Sequence, residues 1–120
     1  MINRYEQPEY EGPAALLALI AANEVPRLRE AIVASALYEE DFDFVQAACI
    51  RLAANDDEVV RGNAVLGFGH LARRFGELLP EGVSVVRAAL SDPSEYVRGQ
   101  AHAAADDISH FLEIDLGGAQ

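Results

Sequence analysis

The chain has 120 residues, 51% of them hydrophobic and 24% charged, which fits one ordinary globular domain and excludes a disordered segment. Its 20 acidic and 9 basic residues leave a net charge of −11. This charge disfavours binding to the phosphates of DNA or RNA and favours a basic protein partner. Acidity can also serve solubility alone, and composition leaves both interpretations open.

Three features bear on location. The longest uncharged apolar run, residues 13–22, is about half as long as a membrane span. Residues 1–12 lack the basic stretch and apolar core of a secretory signal. The single cysteine, Cys49, excludes an internal disulfide and is typical of a reducing compartment. We therefore expect a cytoplasmic protein without a membrane segment.

The first third of the chain predicts one helical hairpin. Apolar residues recur every three or four positions and strand-like alternation is missing, which predicts helices. Residues 13–22 form the first predicted helix and residues 26–38 the second. Residues 1–10 and 114–120 are expected to be loosely ordered tails of a single domain, residues 1–120.

Two further hairpins carry a repeated phrase. Residues 59–64 read VVRGNA and residues 96–101 read YVRGQA, thirty-seven positions apart. Each phrase follows acidic and polar residues whose side-chain oxygens can accept the free N–H groups of a helix start. The predicted helix pairs of these two hairpins are 41–54 with 57–76 and 81–90 with 94–113.

Six helices in three hairpins define the predicted fold class. A hairpin that recurs about every 37–40 residues is typical of an α-solenoid, in which each hairpin buries its apolar face against its neighbours. The prediction is thus an all-α fold, a short α-solenoid of about three helical hairpins. An ordinary six-helix bundle with chance similarity is the alternative.

The repeated residues resemble the HEAT-repeat family, whose second helix begins with Asp, then Val-Arg, then Ala three positions later. The resemblance implies a HEAT-like solenoid in which Asp and Arg of successive repeats pair as a ladder. The first hairpin has Arg27 and Arg29 but no Val-Arg-x-x-Ala, so we expect it to be a cap. The ladder positions implied here are Asp57, Arg61, Asp92 and Arg98.

A narrower resemblance rests on LGFGHLARRFGEL (66–78) and AADDISHFL (104–112). These stretches are similar to bacterial immunity proteins, some of which accompany contact-dependent growth inhibition toxins with nuclease activity. The resemblance implies a non-enzymatic monomer without cofactor or metal that forms a heterodimer with a cognate basic toxin domain. The alternatives are a HEAT-repeat scaffold or adaptor subunit, and an enzyme or enzyme accessory acting on nucleic acid or a chromophore.

The junction of the first two hairpins, residues 38–44, mixes three aromatic and four acidic side chains. On one interpretation, Phe42 and Phe44 fold into the hairpin interface while the acids cap the next helix. On the other, an exposed aromatic residue anchors in a partner pocket and the acids pair with basic residues of the partner. The candidate contacts are Tyr38, Glu39, Glu40, Asp41, Phe42 and Asp43.

The last helix supplies a second candidate site. Asp106 and Asp107 lie mid-helix, where Asp is a poor helix former, which indicates partner binding or pairing with a neighbouring hairpin. Asp107 occupies the same position in its repeat as His70 does in the repeat before it, and His70 is therefore a candidate contact together with Asp106 and Asp107. His102, Asp106 and His110 share a helix face, but the outer two are about 12 Å apart, too far to ligate one ion. We therefore expect no metal site.

Overall fold

The computed structural model describes residues 9–116, which form six α-helices and no strand. The predicted all-α fold of six helices in three hairpins is confirmed. Each helix end lies within two residues of the predicted one. The helices are α1 (Pro13–Ala22), α2 (Val25–Tyr38), α3 (Phe42–Leu52), α4 (Glu58–Phe75), α5 (Pro80–Ala89) and α6 (Glu95–Leu112).

Capping side chains set the helix starts. Asp41, Asp57 and Ser94 accept hydrogen bonds from the backbone N–H three residues on, at 3.1, 2.9 and 3.2 Å. Each such cap stabilises a helix by about 0.5–2 kcal/mol. The predicted helices began at these caps, which explains the one-residue shifts of α3, α4 and α6. At the other end of α4, Gly76 adopts a left-handed φ of 71°, which glycine accepts without strain.

Helix α4 is the centre of the stack. It packs against α2 on one side and α6 on the other, and it also contacts α3 and α5. The second helices of the three hairpins thus form one layer, while α3 and α5 contact each other in the second layer, as in an α-solenoid. Each fully buried aliphatic or aromatic side chain contributes roughly 1.5–3 kcal/mol. The largest in the second-helix layer are Leu28, Ile32, Val60, Val65, Phe68, Leu71, Val97 and Ile108.

Two glycines let α6 approach α4 closely. A Cβ atom at Gly62 would lie 2.8 Å from the ring of Tyr96. A Cβ atom at Gly69 would lie 2.8 Å from a carboxylate oxygen of Asp107 and 3.2 Å from the Cα atom of Ala104. Glycine costs about 1 kcal/mol in a helix, but here it opens the space that the neighbouring helix fills. This close contact brings Asp107 against α4.

The predicted tails, residues 1–10 and 114–120, lie largely outside the described residues. Of the residues that are described, Tyr10 donates a hydrogen bond to the carboxylate of Glu39, and Leu116 is buried in the core. These inner parts of both end segments are therefore packed against the helices.

Candidate functional site

Glu39, directly after α2, is a buried carboxylate. It is 8% exposed, and its two oxygens accept hydrogen bonds from the Tyr10 hydroxyl and, at 2.8 Å, from the backbone N–H of Asp41. Burial, followed by the bond to Glu39, raises the pKa of Tyr10. Glu39 thus attaches the segment before α1 to the end of α2. Its carboxylate is turned inward, as in the interior interpretation of the junction.

The two phenylalanines of the junction also face inward. The ring of Phe42 meets that of Phe75 edge to face at a centroid distance of 5.0 Å, and Phe44 packs against the core. Asp41 caps α3, as described above. At these positions the geometry agrees with the interior interpretation of the segment. Phe42 is half-buried, so it is poorly placed to anchor in a partner pocket.

The remaining candidate residues of the junction lie on the surface. Tyr38 is 41% exposed, and Glu40 and Asp43 are exposed on either side of the capping residue Asp41. We call Tyr38, Glu40, Asp41 and Asp43 the acidic edge. The buried contacts of Glu39 and Phe42 hold this edge between α2 and α3, so its carboxylates are displayed on a fixed backbone.

Arg74, near the end of α4, holds the backbone that precedes the acidic edge. Its guanidinium donates to the carbonyl oxygens of Ala36 at 2.7 Å and Glu39 at 2.8 Å. It also stacks over the ring of Phe75 at 4.8 Å. Arg74 on α4 therefore donates hydrogen bonds to carbonyls at the end of α2 and is half-buried, whereas the neighbouring Arg73 is exposed.

His70 on α4 and Asp107 on α6 lie near each other where the two helices pack closely. Nη2 of Arg73 donates to Nδ1 of His70 at 3.0 Å. Burial, then Arg73, lowers the pKa of His70, and the nearby Asp107 carboxylate opposes this shift. No hydrogen bond joins the two candidate residues in the described part of the chain. Asp106 is exposed beside them, so this α4–α6 face mixes an imidazole, a guanidinium and two carboxylates.

Asn63, which the sequence analysis missed, links the three second helices. Its side-chain nitrogen donates to the carbonyl of Arg29 at 2.9 Å. Its side-chain oxygen accepts from the Tyr96 hydroxyl at 2.6 Å and from Gln100 at 3.1 Å. A single amide thus connects α2, α4 and α6.

Arginine–aspartate pairs join successive hairpins. Arg29 donates to both carboxylate oxygens of Asp57 at 3.0 and 2.8 Å. Arg61 donates to both oxygens of Asp92 at 2.9 and 3.0 Å. The bond from Arg29 lowers the pKa of Asp57 to about 2, and the bond from Arg61 lowers that of Asp92. The first hairpin, expected to depart from the pattern, therefore supplies a ladder arginine.

The other candidate chemistry is not assembled. His102, Asp106 and His110 are exposed, and no group of three or more His, Cys, Asp or Glu side chains among residues 9–116 could hold a metal ion. Cys49 is fully buried, and burial raises the pKa of its thiol to about 12. A thiol in this state is a poor nucleophile, which fits a structural role.

The fold of this chain has a counterpart among solved structures. The chain is similar in structure to a chain of a crystal structure of a CDI complex from Cupriavidus taiwanensis LMG 19424, with a TM-score of 0.78. The two are 25% identical, and the match covers 92% of this chain and 98% of that one. No protein-family model and no curated protein matches the sequence.

A cleft of about 530 Å³ lies between residues 9–12, α1 and α2. Its floor is aliphatic, with Leu16 and Leu19, and its rim is charged, with Arg27 and Glu30. None of the candidate contacts lines it. Among the described helices, none has the length and apolar character needed to cross a bilayer.

Proposed function

We propose that this chain is an immunity protein of contact-dependent growth inhibition (CDI), which binds and neutralises a cognate toxin domain in the cytoplasm. The observation that carries the proposal is the structural likeness to a chain of a CDI complex over nearly the whole length of both chains. In this role the chain needs no cofactor and performs no reaction. It acts as a HEAT-like binding module that forms a heterodimer.

The charge of the chain indicates the chemistry of the partner. A net charge of −11 attracts a basic domain, such as a nuclease whose cleft receives nucleic-acid phosphates. Carboxylates can take the place of those phosphates on Arg and Lys side chains. Binding of this kind blocks the cleft by charge and shape.

We assign the first contact to the acidic edge, with the α4–α6 face as the second. Tyr38 is a rigid, partly exposed aromatic residue next to Glu40, the arrangement of a buried anchor surrounded by charged contacts. Because the backbone of the junction is held by Glu39 and Arg74, little order has to be gained on binding.

The test is binding to the toxin domain encoded beside this chain, measured by isothermal titration, together with rescue of growth on co-expression. We expect nanomolar affinity for the wild type and at least a tenfold loss for Glu40→Lys and for Asp43→Lys. The matched control is Glu24→Lys, an exposed acid at the other end of α2, about 20 Å away by helix rise. Absence of nanomolar binding, or toxicity that persists on co-expression, would contradict the proposed function. An equal loss for Glu24→Lys would contradict only the assigned surface.

A further inference from the structure

The two guanidinium groups of the repeated phrase are anchored in the same way. Nη1 of Arg61 donates to the carbonyls of Asn55 and Asp56 at 3.0 and 3.2 Å. Nη1 of Arg98 donates to the carbonyls of Asp92 and Pro93 at 2.8 and 3.1 Å. In both cases the acceptors are the residues six and five positions before the arginine. The same anchor therefore gives the two guanidinium groups the same orientation.

The two arginines differ in what binds the guanidinium edge formed by Nε and Nη2. Nε and Nη2 of Arg61 bind the carboxylate of Asp92, the acid of the next hairpin. Arg98 belongs to the last hairpin, and it takes part in none of the ion pairs found within residues 9–116. The Asp92 carboxylate is near enough for Arg98 to help lower its pKa, but its two oxygens are bound by Arg61. Nε and Nη2 of Arg98 thus form an oriented pair of donors whose spacing matches a carboxylate.

The glycine after each arginine extends the equivalence. A Cβ atom at Gly62 would lie 2.8 Å from two ring atoms of Tyr96, so Gly62 makes room for an aromatic ring of the next hairpin. Gly99 is exposed, and a Cβ atom there would have no heavy atom within 4 Å. The Arg61–Gly62 receptor is filled by Asp92, two residues before the N-cap Ser94, and by Tyr96, four residues after Asp92 in the first turn of α6.

We propose that Arg98 and Gly99 form a second, equivalent receptor, which docks the start of a helix of the partner protein. An acidic residue just before that helix binds Arg98, and an aromatic residue four positions later, in the first turn, lies over Gly99. The inference rests on the proposed function, because it takes the toxin domain as the partner. A second copy of this chain is a poorer occupant, since two chains of charge −11 repel each other.

The receptor adds orientation to an attraction that is otherwise diffuse. Acidic surfaces draw in a basic partner without fixing its position, whereas a bidentate arginine–carboxylate contact accepts one geometry. All nine basic residues of the chain are arginines, and Arg29 and Arg61 bind carboxylates of the neighbouring hairpins. Arg98 makes the same type of bond available at the end of the stack.

Isothermal titration of the full chain with the toxin domain encoded beside it tests the receptor. We expect Arg98→Ala to weaken binding at least tenfold and Arg98→Lys nearly as much, because an ammonium cannot make the bidentate contact. Gly99→Leu should weaken binding to a similar extent by filling the place of the aromatic ring, and its open surroundings allow the variant to fold. The control Arg87→Ala makes the same charge change at an exposed position of α5 and should stay within twofold. Urea unfolding of each variant separates loss of binding from loss of folding.

A partner acid identifies the contact itself. Asp→Asn and Glu→Gln variants of the toxin domain are titrated against the wild-type chain and against Arg98→Ala. One toxin variant should bind the wild-type chain more weakly than the unmodified toxin does, yet bind Arg98→Ala no more weakly than the unmodified toxin does. A merely structural arginine would not give this coupling. If the wild type binds and the Arg98 and Gly99 variants stay within twofold, the receptor is wrong and the immunity function stands. If the wild type does not bind, both fall. A dimer of this chain that Arg98→Ala dissociates in sedimentation would show that a second copy is the occupant, and the proposal would be wrong.

Discussion

Asp92→Asn should destabilise the protein by removing one charge between the second and third hairpins. The Arg61–Asp92 pair has two bonds of 2.9 and 3.0 Å, and its side chains are 19% and 14% exposed. Exposed ion pairs are worth about 0–1 kcal/mol, whereas removing one partner of a buried pair costs about 3–5 kcal/mol. At this partial exposure we expect a loss of about 2 kcal/mol. The asparagine oxygen can still accept the Ser94 N–H, so the turn before α6 is retained.

Urea unfolding followed by far-UV circular dichroism at neutral pH measures this loss. With an m-value of about 1–2 kcal/mol/M, the midpoint should fall by roughly 1–2 M. The control is Glu24→Gln, because the Glu24–Arg27 pair is 3.7 Å long with side chains 48% and 63% exposed, and it should cost less than about 0.5 kcal/mol. If Asp92→Asn stays within about 0.5 kcal/mol of the wild type, or if the control costs as much, the ladder does not hold the hairpins together.

Three further predictions use similar assays. The ion pair with Arg29 holds the pKa of Asp57 at about 2, below the ~3.9 of an unfolded Asp. Its contribution to the free energy of unfolding is therefore complete above about pH 4 and is lost as the pH falls towards 2. Asp57→Asn should make the free energy of unfolding fall less steeply over this range, and an unchanged slope would contradict the assignment. Gly69→Ala places a Cβ atom 2.8 Å from the Asp107 carboxylate and should lower the free energy of unfolding by about 1–3 kcal/mol. Gly99→Ala meets no atom within 4 Å and should raise it by up to about 1 kcal/mol. Changes of the same sign in the two variants would refute the packing argument. Cys49, buried with its pKa raised to about 12, should react with a disulfide reagent only as fast as the protein unfolds, and rapid labelling of the native state would overturn this.

The helices could be predicted because their signals are local. Side-chain caps, prolines in first turns and apolar spacing each involve residues within one or two helical turns. The ladder role of Arg29 was missed for the same reason. Leu28 and Ile32 occupy the positions at which the repeated phrase has Val and Ala, and both are fully buried. The first hairpin therefore has apolar core residues at these positions without the letters of the repeated phrase. Only the contact with Asp57, 28 residues away, reveals the arginine.

The candidate contacts could be predicted only as a group. Composition identified the junction between the first two hairpins but could not separate buried from exposed acids, because burial there depends on distant partners. Glu39 is covered through Tyr10, 29 residues away, and the junction is held by Arg74, 35 residues away. Neighbouring acids of one short segment therefore have different surroundings. Glu39 is buried and accepts hydrogen bonds within the protein, while Glu40 and Asp43 lie on the surface.

Stability and partner binding should therefore respond to different charges of this chain. Arg29 and Arg61 neutralise the acids that lie between hairpins, so the negative field of the surface comes from acids such as Glu40 and Asp43, with which no arginine pairs in residues 9–116. Reversing Glu40, which lies before the cap of α3, removes attraction for a basic partner and relieves repulsion among the acids, so binding should weaken while the urea midpoint holds or rises. Asp43 differs because it lies in the first turn of α3, where its negative charge also favours the helix. Asp92→Asn should do the opposite, lowering the midpoint while the native surface keeps its affinity. A chain in which both classes of variant lost stability and affinity together would not have this division between cohesive and exposed charges.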